Sequence, residues 1–157
     1  MQMIRLIWIV GFVFAGPLFL TAQISGKVTG VHDGDSFTLL APGNVEMKIR
    51  LHGVDCPELK QDYGQRAKQF TSSQIFGKTV TVKSSKKDRY GRTIGTVYLA
   101  NGQILNELLL QNGLAWHYKK YDSNAYWAQL ETNARNAKRG LWAISNPIPP
   151  WTYRSRK

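Results

Sequence analysis

The chain has 157 residues, of which 43% are hydrophobic, and its 21 Lys and Arg against 10 Asp and Glu give a formal net charge of +11. This apolar content is that of a globular core and excludes a disordered or fibrous chain, while the length predicts one domain. The single cysteine, Cys56, excludes an internal disulfide framework and a cysteine-rich zinc site. The charge favours an anionic partner such as nucleic acid, although general solubility also explains it.

The N-terminal segment, residues 1–22, has the pattern of an export signal. Its run from Leu6 to Leu20 is almost wholly apolar but is interrupted by a Gly-Pro pair, and it is shorter than the roughly 20 residues of a membrane-spanning helix. The pattern predicts a signal peptide cleaved after Ala22. Because Leu20 stands where a small residue is preferred, an uncleaved membrane anchor is the alternative. Either outcome places the domain outside the cytoplasm, as a periplasmic, secreted or N-terminally anchored protein.

The next part of the chain predicts a three-stranded meander. Its segments contain alternating or β-branched residues and are separated by the turn sequences Asp33-Gly34 and Pro42-Gly43-Asn44. The predicted strands are Ile24–His32, Phe37–Leu40 and Val45–Gly53. In the third strand apolar residues alternate along one face, so Arg50 points away from that face. The alternating apolar residues are Val45, Met47, Ile49 and Leu51.

The remainder predicts three helices and two further strands. The helices are Tyr63–Phe76, Leu105–Gln111 and Asn124–Lys138, the strands are Thr79–Lys83 and Thr93–Leu99, and a polar loop runs from Ser84 to Arg92. Five short strands with these helices predict a small closed β-barrel of the α+β class. The barrel domain is expected to span residues 23–145. The tail, residues 146–157, is rich in proline and basic residues and predicts extended or frayed chain.

Five of the ten acidic residues lie between positions 33 and 58 of this basic chain, and four of them stand in predicted turns. These four are Asp33, Asp35, Asp55 and Glu58. Each has an ordinary explanation, because Asp, Gly and Pro are common turn residues. Their concentration favours a site for a hard cation, Ca²⁺ or Mg²⁺, held by the aspartates and the Cys56 carbonyl. Glu58 would face the substrate as a base or water-positioning group.

Two arginines extend this hypothesis to phosphate chemistry. Arg50, on the polar face of a strand, and Arg92, in a predicted hairpin turn, are by default solvated residues. Phosphodiester cleavage, however, needs cations that bind the phosphate and stabilise the charge of its five-coordinate transition state, and a guanidinium does so with a bidentate fork. Beside a carboxylate-bound metal, the two arginines indicate a metal-assisted nuclease.

Three segments in this order, Val31–Phe37, Ile49–Glu58 and Asp88–Arg92, resemble the signature segments of the staphylococcal-nuclease-like (thermonuclease) family, and the similarity extends over residues 24–145. The resemblance implies a five-stranded OB-fold barrel with three α-helices. It also implies Ca²⁺-dependent hydrolysis of DNA and RNA that leaves 3′-phosphates, largely without sequence preference.

The resemblance further implies a division of roles among the metal-binding residues. Asp35 and Asp55 match the calcium carboxylates, and Asp33 matches an acid that lies near the metal through water. Cys56 stands where threonine is common and contributes its main-chain carbonyl, which brings a thiol close to the metal.

The catalytic residues are implied in the same way. Arg50 and Arg92 match the two phosphate-binding arginines, and Glu58 matches the general base or water-orienting residue. The residues that stack on nucleotide bases do not align cleanly; the candidates are Tyr90, Tyr118 and Tyr121, for which packing is the alternative role.

We therefore expect an enzyme that acts on DNA and RNA, with no stable protein partner and a monomeric state. Membrane association is expected only if residues 1–22 are retained. Two alternatives belong to other classes of protein. One is a nucleic-acid-binding OB-fold module without catalysis, and the other is a basic envelope-binding domain.

Overall fold

The computed structural model of the protein describes residues 22–156. The predicted signal peptide therefore lies outside the described residues, apart from Ala22, which begins the first strand. Among the described residues, no helix has both the length and the apolar character to cross a membrane.

Five strands close into the predicted barrel. They are β1 (Ala22–Val31), β2 (Ser36–Ala41), β3 (Val45–Leu51), β5 (Thr79–Lys87) and β6 (Thr93–Tyr98), and a two-residue strand, β4 (Val54–Asp55), precedes the fourth of them. Around the barrel the order is β1-β2-β3-β6-β5, with β5 pairing back onto β1. All pairs are antiparallel except β3 with β6, which is parallel. The prediction of a five-stranded barrel with helices is confirmed.

Alongside this barrel, the described residues form four α-helices. They are α1 (Gly64–Ile75), α2 (Leu105–Gln111), α3 (Ala125–Asn136) and α4 (Pro150–Ser155), with a 3₁₀ turn at Gly140–Ala143. A short strand, β7 (Trp116–His117), pairs antiparallel with β4 outside the barrel. The three predicted helices are thus present, and α4 is an additional one.

The main core fills the barrel and continues beneath α1 and α2. The alternation of β3 places Ile49 and Leu51 inside, as predicted, whereas Val45 at the hairpin tip is 54% exposed. Buried Asn106 ties α2 to the barrel, because its side chain accepts a hydrogen bond from the Val97 amide at 3.1 Å and donates one to the His52 carbonyl at 2.8 Å. Pairing both polar atoms of this amide avoids the cost of burying them unsatisfied.

Strand β5 is longer than the sequence predicted. The residues from Ser84 onward were expected to form a loop, but Lys86 pairs with Ile94 and Lys87 with Thr93 after a register shift. The Ser84 hydroxyl makes this irregularity possible, since it donates to the Ile94 carbonyl at 2.7 Å. The turn proper is therefore confined to the few residues between β5 and β6.

The prediction of an extended or frayed tail is wrong. Residues Pro150–Ser155 form α4, with a proline in the first turn, where its missing N–H and fixed φ are compatible with a helix. Trp151 joins a second hydrophobic cluster and stacks in parallel on Tyr118, with ring centroids 4.9 Å apart. The buried members of that cluster are Trp116, Ala134, Leu141 and Trp142.

Candidate active site

The guanidinium of Arg50 is the centre of the acidic site. Strand β3 directs it away from the barrel interior, and its Nη1 donates to the Leu51 and Val54 carbonyls at 3.1 and 2.9 Å. Nη1 also lies 3.2 Å from Asp35 Oδ2, and Nη2 lies 2.8 Å from Asp55 Oδ1. Only 14% of the side chain is exposed. Burial opposes its charge, but the carboxylates of Asp35 and Asp55 outweigh burial and raise the pKa of Arg50.

Asp35 is buried in the turn directly before β2. Its Oδ2 accepts a 2.6 Å hydrogen bond from the Cys56 amide, and its own amide donates to Asp33 Oδ1 at 3.0 Å. Burial raises the pKa of Asp35 well above its usual value; Arg50 opposes this rise, while the charges of Asp33 and Asp55 add to it. Burial and the neighbouring carboxylates thus outweigh the stabilising charge of Arg50.

Asp55 of β4 and Glu58 of the following loop lie in the same acidic cluster. Asp55 is 1% exposed and pairs in register with Trp116. The Glu58 amide donates to Gln61 Oε1 at 2.8 Å, which closes its loop against the start of α1. A Cβ on Gly64 would overlap the Glu58 carbonyl oxygen, so glycine is required there for this close approach.

A third arginine, which the sequence did not indicate, lies in this cluster. Arg154 of α4 donates from Nη2 to Asp55 Oδ2 at 2.7 Å and from Nη1 to Asp55 Oδ1 at 3.2 Å. The same Nη1 lies 2.8 Å from Glu58 Oε1. The hydrogen bonds to Asp55 and Glu58 raise the pKa of Arg154, so it remains charged.

Arg92 is not part of this ion-pair cluster. Its Nε donates to Asp88 Oδ2 at 2.7 Å, and its guanidinium lies 5.7 Å from the centre of the Tyr90 ring. Burial favours the neutral acid, but the hydrogen bonds from Arg92 and from the Tyr90 amide outweigh it and lower the pKa of Asp88. Within residues 22–156, Arg92 forms no ion pair with Asp35, Asp55 or Glu58.

The acids fit a hard divalent cation by their chemistry and charge. Asp35 and Asp55 contact the same guanidinium, and with Asp33 and Glu58 they set four carboxylates against Arg50 and Arg154. Such oxygen donors suit Ca²⁺ or Mg²⁺, whose two positive charges would balance the remainder. The described part of the chain contains no group of three or more His, Cys, Asp or Glu side chains arranged to hold a metal ion. A metal bound here would therefore need main-chain or water oxygens as further ligands.

The thiol of Cys56 serves to pack the site. Burial, followed by the charge of Asp35, raises the pKa of Cys56 well above its usual value, so the thiol stays neutral. A Cβ on Gly34 would lie 2.7 Å from Cys56 Sγ and from Ala67 Cβ. Gly34 is thus the residue that lets the Asp33–Asp35 turn rest on Cys56 and α1.

The candidate stacking residues fall into two groups. Tyr90 lies in the hairpin beside Arg92 and is 66% exposed. Tyr118 and Tyr121 contact each other edge to face at 4.8 Å, and one side of Tyr118 is covered by Trp151. The α4 helix therefore adds a ring to the aromatic surface that the tyrosines were predicted to form.

Known proteins share much of the sequence of this chain, and some of them are matched over most of their own length. Residues 48–144 match the family described as staphylococcal nuclease homologue. An uncharacterized endonuclease of Escherichia coli O157:H7 is 41% identical over 146 residues, which cover 93% of this chain and 94% of that protein. An uncharacterized endonuclease of Haemophilus influenzae is 37% identical over 131 residues, 83% of this chain and 73% of that protein. A staphylococcal-like nuclease of Arabidopsis thaliana is 44% identical over 112 residues, 71% of this chain and 34% of the plant protein.

The surroundings of Cys56 predict an unreactive thiol. In the native protein at pH 8, an aromatic disulfide reagent should label Cys56 at least about a hundredfold more slowly than in guanidinium chloride, because the thiolate is disfavoured and shielded. The measurement is the rate of thiolate release in both conditions. A native rate equal to the denatured rate would show that the thiol is exposed beside the acids.

Proposed function

The chain belongs to the staphylococcal nuclease family and is a hydrolase that acts on phosphodiester bonds, and on this premise we propose that it is an exported, Ca²⁺-dependent nuclease of DNA and RNA. The observation that supports the proposal most strongly is the convergence of Asp35 and Asp55 on Arg50, with Glu58 at the open side of the cluster. The proposed products carry 3′-phosphates. Export is proposed from the pattern of residues 1–22, which would direct the basic domain to nucleic acid outside the cytoplasm.

The proposed reaction is the in-line attack of water on phosphorus. Glu58 orients or deprotonates this water, since its side chain is 36% exposed whereas Asp35 and Asp55 are buried. Bound between Asp35, Asp55 and the Cys56 carbonyl, Ca²⁺ would supply positive charge to a phosphate oxygen. Four acceptors hold Arg50 rigidly beside the same two aspartates. Its fixed charge stabilises the transition state without reorganisation.

Arg92 contributes the second phosphate-binding guanidinium in this proposal. Its contact with Asp88 uses Nε, which leaves the Nη donors available to phosphate oxygens. Asp88 also accepts hydrogen bonds from the Tyr90 and Arg92 amides at 2.9 and 3.0 Å, so one carboxylate shapes the turn and orients the guanidinium. Arg92 thus approaches the substrate from the hairpin, while Arg50 acts from the acid cluster.

Nucleic acid is proposed to bind along the aromatic surface beside β7. Tyr118 and Trp151 form a parallel stacked pair, and Lys119 and Lys120 directly follow Tyr118 in the chain. Lys120 lies 5.6 Å from the centre of the exposed Tyr121 ring. Aromatic rings beside cations accept any base, so such a surface is consistent with cleavage without sequence preference.

A digestion experiment tests the proposed activity and its metal. The purified protein should degrade plasmid DNA and RNA in Ca²⁺ and stop in excess EGTA, because the carboxylates then lack the cation that balances them. Products should become substrates for primer extension only after phosphatase treatment, as expected for 3′-phosphate ends. Equal digestion in EGTA would contradict the metal requirement, and products that are extended without phosphatase would contradict the proposed polarity.

Two arginine variants test the proposed phosphate-binding groups. Arg50→Lys keeps a charge beside the buried acids but loses the fork, and Arg92→Ala removes the hairpin guanidinium. Each should lower kcat about a hundredfold or more, as expected for loss of a preorganised donor. The matched control is Arg89→Ala, in the same exposed hairpin, with kcat near that of the wild type. Wild-type kcat in both Arg50→Lys and Arg92→Ala would remove these residues from the mechanism.

A further inference from the structure

Arg154 links two carboxylates that have different proposed tasks. Its Nη1 contacts both Asp55 Oδ1 and Glu58 Oε1, at 3.2 and 2.8 Å, while Nη2 contacts Asp55 Oδ2 at 2.7 Å. The planar fork of a guanidinium fixes the direction of both contacts. Since Asp55 is buried and held by Arg50, it provides a rigid point from which Arg154 can orient Glu58.

The carboxylate of Glu58 depends on Arg154 for this orientation. In the part of the chain that the structure describes, Arg154 is its only hydrogen-bonding partner, and Oε2 accepts no hydrogen bond from the protein. A partly exposed glutamate without such a contact samples several rotamers, and fixing one of them costs entropy. Arg154 therefore holds one oxygen of Glu58 and leaves the other available for a water molecule.

The α4 helix that carries Arg154 is anchored at two other points. The Trp151 ring lies 4.9 Å from the Tyr118 ring and 5.6 Å from the Trp116 ring. Ahead of the helix, Gln61 Nε2 donates to the Ile148 carbonyl at 3.1 Å, which joins the tail to the loop that carries Glu58. The guanidinium is thus placed by packing on both sides, although 43% of its side chain is exposed.

We propose that Arg154 is a positioning residue, which holds Glu58 in the orientation that catalysis requires. This inference rests on the proposed function and extends the active site to the C-terminal helix. A different role would be a lock, in which Arg154 takes the place of the metal. The charge balance favours the positioning role. Four carboxylates beside two guanidinium groups retain a net negative charge, which still attracts a divalent cation. Asp55 accepts three hydrogen bonds from Arg50 and Arg154, fewer than the roughly four lone-pair sites of a carboxylate.

Kinetics of Arg154 variants separate these roles. Arg154→Ala should lower kcat about 10- to 100-fold with little change in KM, because misorientation of a catalytic group affects the chemical step. Arg154→Lys should have a kcat between those of Arg154→Ala and the wild type, since one ammonium can reach Glu58 but cannot also make bidentate hydrogen bonds to Asp55. The matched control is Arg156→Ala, two residues later and exposed, with wild-type kcat. Circular dichroism and Tm of each variant distinguish lost positioning from lost folding.

A double variant tests whether Arg154 acts through Glu58. In the Glu58→Gln background, Arg154→Ala should cost much less than it does in the wild type, because the group that it orients is already disabled. Calorimetric Ca²⁺ affinity should not fall in Arg154→Ala, because the substitution removes a positive charge beside Asp55, so the loss of kcat and not the affinity identifies the positioning role. Multiplicative losses in kcat would overturn the inference, and so would undiminished kcat with tighter Ca²⁺ binding, the result expected of a lock. If the wild type itself cleaves nothing, the proposed function fails and the inference fails with it.

Discussion

The structure of the site depends on one buried guanidinium that is shared by two buried carboxylates. Arg50 contacts Asp35 from the turn before β2 and Asp55 from β4, so one side chain joins segments that the barrel alone would leave independent. Removing Arg50 would leave the buried Asp35 carboxylate without its counter-charge, which is strongly destabilising. Burial, followed by the charges of Asp33 and Asp55, raises the pKa of Asp35, and a divalent cation at the proposed site would offset these negative charges. Folding and the proposed chemistry therefore rely on the same contacts.

The position of Asp55 is also fixed by the backbone pairing of its strand. Asp55 pairs with Trp116 in the small β4–β7 sheet, and the Trp116 ring lies 4.4 Å from Trp142 and 5.6 Å from Trp151. The aromatic cluster that packs against α4 is thus joined to β4, the strand that carries Asp55. Because Arg154 of α4 binds the Asp55 carboxylate, this aspartate is held by both its backbone and its side chain. The C-terminal helix is consequently part of the site architecture and not an appendage of the barrel.

The local sequence pattern was sufficient to predict most of the barrel strands and the segment that carries the acid cluster. Alternation in β3 placed Arg50 on the face opposite Ile49 and Leu51, and the concentration of aspartates in a basic chain marked the segment that forms the acid cluster. The tail could not be read in this way, because its prolines favoured extended chain, and its one helical turn is stabilised by distant tryptophans. Arg154 and Asp55 are 99 positions apart, and no local spacing reports a contact of that kind. The packing of Trp151 and the hydrogen bond from Gln61 to the Ile148 carbonyl bring Arg154 into the site.

The central claim is that the carboxylates joined by Arg50 form a cation site. Isothermal titration of Ca²⁺ into the wild type and Asp35→Asn tests it most directly, because this substitution removes one charge with little change in shape. The account predicts saturable binding of one ion per chain to the wild type and loss of that binding in Asp35→Asn. Binding of equal affinity in both proteins, or none in the wild type, would contradict it.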